Sequence, residues 1–211
     1  MRGRLVALYR SLAGRDMLIG SSGNVSARHR EGMLITPTGC DAATLTPRQI
    51  VLTSLDGTWR GGLKPSSEWE LHAAIYRQDP AAKVIVHTHS DQATALSCLN
   101  LPLPAFHYNV AEFGGEDVRI APYATFGTPE LAALAASAIE GRTACLLANH
   151  GMICHASSPE EALAAAIRLE ALCRQYLLAR AAGTPRLLTR SEMNAAIARY
   201  ARYGQQKDSA P

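Results

Sequence analysis

Two histidines separated by a single residue, His87 and His89, have the type and spacing that metal binding needs. They follow residues 83–86, a mostly β-branched run after Pro80, and this pattern predicts a short buried β-strand. Side chains two residues apart in a strand point to the same side, so both imidazoles could reach one cation. Imidazole is the commonest protein ligand of zinc, and three protein ligands with one open position make a catalytic site. An isolated pair of this kind is more often two hydrogen-bonded histidines at the end of a strand.

His150 and Glu68 are the residues that could complete such a metal site. His150 lies between Asn149 and Gly151, in a predicted turn of special backbone shape after the apolar run 143–148, and it could supply a third nitrogen ligand. A turn histidine that faces solvent is the ordinary alternative. Glu68 stands at the start of a predicted helix, where the helix dipole alone favours a carboxylate. If it points at a metal instead, it would serve as a ligand or as a general base.

Three turns rich in small polar residues could bind an anion. Ser66 and Ser67 precede the predicted helix, and their hydroxyl groups and the free N–H groups at a helix N-terminus are suited to phosphate. The other two turns are Gly23-Asn24 and Thr38-Gly39. Each turn is weak evidence on its own, because most such sequences are only turns.

The elements that would position these residues alternate between helices and strands. Apolar residues at helical spacing predict helices at 1–16, 69–76, 92–99, 128–139, 158–181 and 191–200. Apolar runs predict strands after the turn at 21–26 and at 33–36, 51–53, 83–89, 143–148 and 152–154, and Asp56-Gly57 marks a hairpin. With no linker or repeat, the pattern predicts one α/β domain over residues 1–211, whose sheet is not purely parallel.

Two local expectations concern the surroundings of the candidate site. His72 lies at helical spacing with Ile75 and Tyr76, which predicts a role in packing. Asp91 follows the histidine pair and is expected to cap the next helix.

Charge and composition argue against several classes of function. The chain has 211 residues, a formal net charge of +3 and scattered arginines without a basic stripe, so nucleic-acid binding is not expected. No stretch is long enough to span a bilayer, and we expect no membrane partner. The five cysteines include no Cys-x-x-Cys pair and fit reduced thiols in a cytoplasmic protein. None of the three lysines lies in an evident apolar pocket, which disfavours Schiff-base chemistry.

Five short motifs occur together along the chain: Gly23-Asn24-Val25-Ser26, Ile35-Thr36-Pro37-Thr38-Gly39, Pro65-Ser66-Ser67-Glu68, His87-Thr88-His89-Ser90 and Asn149-His150-Gly151. In this order they resemble the class II aldolase/adducin family, and the resemblance covers nearly the whole chain. It implies a three-layer α/β/α sandwich with a mixed, mostly antiparallel central sheet. It also implies ring-like homotetramers with sites between neighbouring subunits. Residues 204–211 would form a short polar tail, which we expect to be flexible without ligand.

The resemblance also assigns roles to particular residues. It implies zinc, or another divalent cation such as Mn²⁺ or Co²⁺, held by His87, His89 and His150, with Glu68 as a fourth ligand in the resting enzyme and as the catalytic base. The implied phosphate-binding residues are Asn24, Thr38, Gly39, Ser66 and Ser67, with a contribution from Ser26 or its neighbours. Two tyrosines, Tyr108 and Tyr203, would also contribute to catalysis, the first by helping to protonate the aldehyde oxygen.

The implied reaction is reversible cleavage of a ketose 1-phosphate, such as L-fuculose 1-phosphate, into dihydroxyacetone phosphate and an aldehyde such as lactaldehyde. The family also contains sugar-phosphate epimerases, dehydratases and decarboxylases that use related metal chemistry. The epimerases usually carry aspartate at the position of Glu68, which disfavours that alternative. A non-catalytic, adducin-like interaction module is the alternative of a different class, and it would not need three histidines and a glutamate together.

Overall fold

The structure is a computed structural model that describes residues 1–200. Its helices are α1 (Arg2–Ala13), α2 (Trp69–Gln78), α3 (Asp91–Cys98), α4 (Pro129–Ile139), α5 (Pro159–Ala182) and α6 (Arg190–Tyr200). Its strands are β1 (Asn24–His29), β2 (Gly32–Ile35), β3 (Val51–Thr53), β4 (Val84–Thr88), β5 (Ile120–Ala121), β6 (Ala144–Leu147) and β7 (Gly151–Ala156). Short 3-10 helices occupy Pro47–Gln49 and Tyr108–Phe113. No helix in this part of the chain is both long and apolar enough to cross a membrane.

The described strands form one sheet in the order β3-β2-β1-β4-β7-β6-β5. Every neighbouring pair is antiparallel except β5 and β6, which are parallel. The prediction of a mixed, mostly antiparallel sheet is confirmed. Strand β4, which carries the first candidate ligand, lies in the middle of the sheet, where it is hydrogen-bonded along both edges.

Helices cover both faces of this sheet, which is the predicted three-layer arrangement. Val84 and Val86 of β4 join an apolar core formed with α1, α3 and α5, whereas Ile85 points the other way, into a core formed with α2 and α4. A strand covered on both faces needs apolar residues at consecutive positions. This requirement explains the unbroken apolar run that precedes His87 in the sequence.

The start of α3, directly after His89, is held by a carboxylate from another helix. Ser90 is the N-cap residue of α3, and the expectation that Asp91 caps it is wrong. Glu170 of α5 accepts hydrogen bonds from the N–H groups of Gln92 at 2.8 Å and Ala93 at 2.9 Å, and from the Ser90 hydroxyl at 2.7 Å. It thereby satisfies backbone donors that a helix leaves unpaired at its N-terminus.

Replacing this carboxylate should destabilise the fold more than replacing the residue that the sequence favours as the cap. We expect Glu170→Ala to lower the free energy of unfolding by about 2 kcal/mol, since it removes three hydrogen bonds to a charged acceptor. Asp91→Ala is the matched control and should cost less than about 1 kcal/mol, the usual value of a first-turn acid. Urea titration followed by circular dichroism measures both, and a larger loss for Asp91→Ala would contradict this assignment.

Candidate functional site

Three histidines and one glutamate converge where β4 ends and β7 begins. The Nε2 atoms of His87 and His89 lie 3.0 Å apart. Glu68 places one carboxylate oxygen 3.1 Å from Nε2 of His87 and the other 3.2 Å from Nε2 of His150. One potential ligand atom from each of these four residues lies within 4.8 Å of the other three. The structure therefore brings together all four residues that the sequence predicts as metal ligands.

The backbone of the sheet fixes how His87 presents its ring. Its Nδ1 atom lies 2.8 Å from the carbonyl oxygen of Met152 on the neighbouring strand β7. A carbonyl oxygen can only accept a hydrogen bond, so Nδ1 carries the hydrogen. In the neutral ring, the lone pair of Nε2 therefore points into the cluster, which is the form that binds a metal.

A tight turn with unusual backbone geometry carries His150 to the same point. Asn149 has a φ of +54°, in the left-handed region, and Gly151 starts β7 immediately after the histidine. A Cβ atom on Gly151 would collide with the carbonyl oxygen of Thr88, so only glycine allows β7 to approach the end of β4 this closely. The special backbone shape predicted around His150 is confirmed.

Glu68 is a buried residue at the N-cap position of α2, with a relative exposure of 6%. Its N–H group donates to the Ser66 hydroxyl at 3.2 Å, a contact within the turn that precedes the helix. Burial alone raises the pKa of the Glu68 carboxyl group, but the charge of His87 and the close approach of Nε2 of His150 and of His87 lower it overall. The carboxylate is therefore ionised and draws positive charge into the cluster.

The neutral ring of His89 and an unpaired oxygen of Glu68 also suit a bound cation. Burial, together with the nearby His87 and His150, lowers the pKa of His89 to about 4, so its ring is neutral and offers a lone pair. Oxygen Oε1 of Glu68 is buried and has no hydrogen-bond donor of good geometry among the described residues. Three imidazole nitrogens and one carboxylate form the donor set of a site for zinc or a similar divalent metal.

Two of the predicted anion-binding turns are tied to each other by backbone hydrogen bonds. The N–H of Thr38 donates to the Lys64 carbonyl at 3.2 Å, and the N–H of Ser66 donates to the Thr36 carbonyl at 3.0 Å. These bonds bring Thr38-Gly39 alongside Ser66-Ser67. The turns share a cavity of about 340 Å³ with Glu68 and two of the histidines, and its lining includes Asn24, Thr38, Gly39, Ser66, Ser67, Glu68, His89, His150, Tyr123 and Phe126.

Behind this cavity, two residues have contacts that sequence reasoning missed. Asn24 donates from Nδ2 to Oε2 of Glu68 at 3.0 Å, and its Oδ1 lies 2.5 Å from Nε2 of His72. His72 is fully buried, as its predicted packing role requires, but it is also hydrogen-bonded on both ring nitrogens. Its position one helical turn after Glu68 is the signal that could have identified it. Ser26 is fully buried against His72 and does not line the cavity, whereas its neighbour Asn24 does.

Tyr108, one of the two tyrosines expected at the site, is not brought to it within the described chain. Tyr108 begins a 3-10 helix and is 54% exposed. It lines a separate cavity of about 840 Å³ together with Arg168 and Tyr200, and it is not among the residues that line the cavity of Glu68. Tyr203 lies outside the described residues.

Comparison with known proteins gives a family, relatives and a solved structure of similar fold. Residues 3–177 match the family described as Class II Aldolase and Adducin N-terminal domain. The chain is 43% identical over 204 residues to a 5-methylthioribulose-1-phosphate/5-deoxyribulose-1-phosphate aldolase from Rhodospirillum rubrum, covering 97% of this chain and 92% of the relative. It is 42% identical over 186 residues to an L-fuculose phosphate aldolase from Escherichia coli O6:H1, covering 88% and 86%. A solved L-fuculose 1-phosphate aldolase superposes with a TM-score of 0.91 at 38% identity, covering 95% of both chains.

Removing one imidazole should abolish tight metal binding. We expect His89→Ala to weaken the affinity for zinc by more than about 100-fold, because loss of a direct ligand exceeds the effect of losing a supporting contact. Competition with a chromogenic chelator measures the affinity, and elemental analysis after dialysis measures the metal content. His29→Ala is the control, since His29 lies at the end of β1, outside the cluster. Stoichiometric zinc retained by His89→Ala would contradict the assignment.

Proposed function

The chain belongs to the class II aldolase and adducin family, and we propose that it is a zinc-dependent aldolase that cleaves a ketose 1-phosphate reversibly into dihydroxyacetone phosphate and a short aldehyde. Its relatives are named as aldolases, and the chain is accordingly a lyase. The observation that carries the proposal is the cavity itself. It places a cluster suited to a divalent metal next to hydrogen-bond donors suited to a phosphate group.

His87, His89 and His150 would hold the metal, with Glu68 as a fourth ligand in the resting enzyme. Zinc is favoured by the three imidazole nitrogens, and Mn²⁺ or Co²⁺ could also occupy the site. A divalent cation bound there would supply Lewis acidity, which stabilises the negative charge of the enediolate left when the carbon–carbon bond breaks.

The phosphate group would bind in the turns of Thr38-Gly39 and Ser66-Ser67. Within residues 1–200, the N–H groups of Gly39 and Ser67 donate to no protein acceptor and remain available to a ligand. The start of α2 adds the favourable end of its helix dipole. One Nδ2 hydrogen of Asn24 is used by Glu68, which leaves the other for the cavity. Binding the phosphate at fixed donors would hold the reacting carbons in register with Glu68.

Glu68 is the proposed acid and base. In the cleavage direction, the C4 hydroxyl group releases a proton and the electrons of the C3–C4 bond stay on C3. Glu68 takes up one proton from solvent water, which balances the proton released at C4, and delivers it to C3. In the condensation direction, the carboxylate removes the same proton from the hydroxymethyl carbon of dihydroxyacetone phosphate. Burial by itself raises the pKa of the Glu68 carboxyl group. Once His87 and His150 no longer contact the carboxylate, this effect would make it a stronger base.

In condensation, the aldehyde oxygen takes up a proton to become the C4 hydroxyl group, and we assign its donor to the phenol of Tyr108 from a neighbouring copy of the chain. Solvent water then returns a proton to the phenolate and accepts the proton held by Glu68, and cleavage is the reverse of these steps. Tyr108 is exposed and faces a different cavity from Glu68, so it would reach a site only across a subunit interface. This arrangement requires an oligomer, and we propose the homotetramer that the family resemblance implies. Tyr203 would contribute similarly.

The five free cysteines support a cytoplasmic location.

The names of the relatives and the residues that line the cavity indicate which aldehydes this chain would release on cleavage. Cleavage between C3 and C4 of L-fuculose 1-phosphate gives lactaldehyde, while 5-deoxyribulose 1-phosphate gives acetaldehyde and its 5-methylthio analogue gives a methylthio aldehyde. All of these end in an apolar group. The exposed aromatic side chains of Tyr123 and Phe126 line the cavity and would favour such an end over a hydroxyl group. We retain L-fuculose 1-phosphate as one candidate substrate. The second candidate is 5-deoxyribulose 1-phosphate, because the Rhodospirillum rubrum aldolase named for it matches 97% of the chain.

Loss of the carboxylate should stop proton transfer while leaving metal bound. We expect Glu68→Gln to slow exchange of the hydroxymethyl proton of dihydroxyacetone phosphate with D₂O by at least about 100-fold, the lower end of general-base contributions. Proton NMR follows the exchange, and the three histidines should keep zinc near stoichiometry. Glu70→Gln is the control, because Glu70 lies in the first turn of the same helix but outside the cavity. Exchange at the wild-type rate in Glu68→Gln would show that another residue is the base.

A panel of aldehydes tests both the reaction and its specificity. With dihydroxyacetone phosphate and zinc-loaded enzyme, we expect condensation with lactaldehyde, acetaldehyde and methylthioacetaldehyde. Their kcat/KM values should exceed that of glycolaldehyde by at least about 10-fold, since one apolar group in a pocket contributes about 1–3 kcal/mol. Phosphorylated products are separated by anion exchange. Absence of product with every aldehyde would exclude the aldolase assignment, and a preference for glycolaldehyde would exclude the proposed apolar wall.

A further inference from the structure

A chain of buried hydrogen bonds runs from the interior of the protein to the candidate base. The Tyr76 hydroxyl lies 2.8 Å from the Ser26 hydroxyl, which lies 2.7 Å from Nδ1 of His72. Nε2 of His72 lies 2.5 Å from Oδ1 of Asn24, and Nδ2 of Asn24 lies 3.0 Å from Oε2 of Glu68. All five residues are buried. The chain links α2 to β1 and returns to the residue at the start of α2.

The direction of every bond in this chain follows from the carboxylate. Glu68 is ionised and can only accept, so Asn24 must turn its NH₂ group toward it. Oxygen Oδ1 of Asn24 then faces His72, and because this oxygen can only accept, Nε2 of His72 must carry a hydrogen. Burial, with a contribution from the charge of His87, lowers the pKa of His72 to about 3, so the ring is neutral and Nδ1 has a lone pair.

The remaining two bonds complete the same pattern. Nδ1 of the neutral His72 ring accepts from the Ser26 hydroxyl, and the Ser26 oxygen accepts from the Tyr76 hydroxyl. Burial raises the pKa of Tyr76, which keeps this phenol protonated as the terminal donor. Each donor in the chain therefore meets an acceptor, as a buried polar network requires.

We propose that His72 is a positioning residue for Glu68, which it orients through the side-chain amide of Asn24. Its Nε2–H group fixes the amide so that the NH₂ group holds Oε2 of Glu68 toward the three histidines. Without that hydrogen, the amide is free to rotate and bring its oxygen against the carboxylate, where two acceptors repel. This inference rests on the proposed function, because it concerns the base and metal ligand of that same site.

The chain orients the carboxylate but does not conduct protons. Hydroxyl and imidazole groups can pass a proton along, whereas the amide of Asn24 between His72 and Glu68 can only donate and accept hydrogen bonds. The proton that Glu68 exchanges with the substrate therefore stays on the cavity side. Loss of His72 should change the position of the carboxylate and its affinity for metal, while the phosphate turns at Thr38-Gly39 and Ser66-Ser67 remain intact.

The tautomer of His72 in the wild-type protein gives the first test. Long-range ¹H–¹⁵N correlation spectra of zinc-loaded protein labelled with ¹⁵N-histidine distinguish the two neutral tautomers from the protonated ring. The resonances of His72 are assigned by their loss in His72→Gln. We expect a neutral ring with the hydrogen on Nε2. A hydrogen on Nδ1 alone would overturn the proposal, and this measurement does not depend on aldolase activity.

The second test compares three variants on one helix. His72→Phe removes the donor, His72→Gln keeps an N–H group that can reach Asn24, and Ile75→Val is the control because Ile75 is equally buried on α2 but outside the chain. We expect His72→Phe to lower kcat and the zinc affinity by about 10- to 100-fold each, the usual effect of losing a partner that supports a metal ligand. KM for dihydroxyacetone phosphate should rise by a smaller factor than kcat falls, because Asn24 is the one proposed phosphate donor that His72 holds, and His72→Gln should recover part of each loss.

The possible outcomes separate this inference from the proposed function. If the wild-type protein binds zinc but condenses no aldehyde, the proposed function fails, while the tautomer and the zinc affinities still test the role of His72. If the wild type is active and His72→Phe matches Ile75→Val in kcat and zinc affinity, the role of His72 is refuted. A change confined to KM would also refute it. If His72→Phe does not fold, His72→Gln and the tautomer decide the question.

Discussion

The buried carboxylate of Glu68 is the interaction on which the rest of the site depends. An ionised group with a relative exposure of 6% is costly unless it is paired and hydrogen-bonded. Its partners come from three directions: His87 at the end of β4, His150 in the turn before β7, and the amide of Asn24 at the start of β1. Each partner is held by a further contact, such as the bond between His87 and the Met152 carbonyl. The need to neutralise one charge thus organises the ends of three strands.

The sheet supplies the rigidity that this arrangement requires. Strand β4 is paired on both edges and covered on both faces, so the ring of His87 has little freedom. The groups suited to phosphate lie instead in turns, at Thr38-Gly39 and Ser66-Ser67, which are tied to each other by backbone hydrogen bonds. Placing the metal-binding side chains at strand ends and the anion-binding N–H groups in turns is a common division, since N–H groups are unpaired only where regular structure stops.

Most of the ligand cluster could be predicted from the sequence because local rules place its members. Strand periodicity puts His87 and His89 on one side, and the turn motif locates His150. Contacts between distant segments could not be read in the same way. Glu170 caps α3 from a helix far along the chain, and the bond of His72 to Asn24 depends on how α2 lies against β1. The position of Tyr108, away from Glu68, follows from the path of a long connection for which no periodic pattern exists.

The turn that carries His150 also has a consequence for the order of folding. The ligands are supplied by widely separated parts of the chain, and the last of them arrives only when β7 has paired with β4. Closing such a long loop is slow compared with forming local contacts. An ion bound by all four residues would recognise only the completed sheet, so it would stabilise the native state by mass action without guiding early steps. Metal binding would then lower the rate of unfolding far more than it raises the rate of folding. The ion would thus increase the kinetic stability of the folded protein.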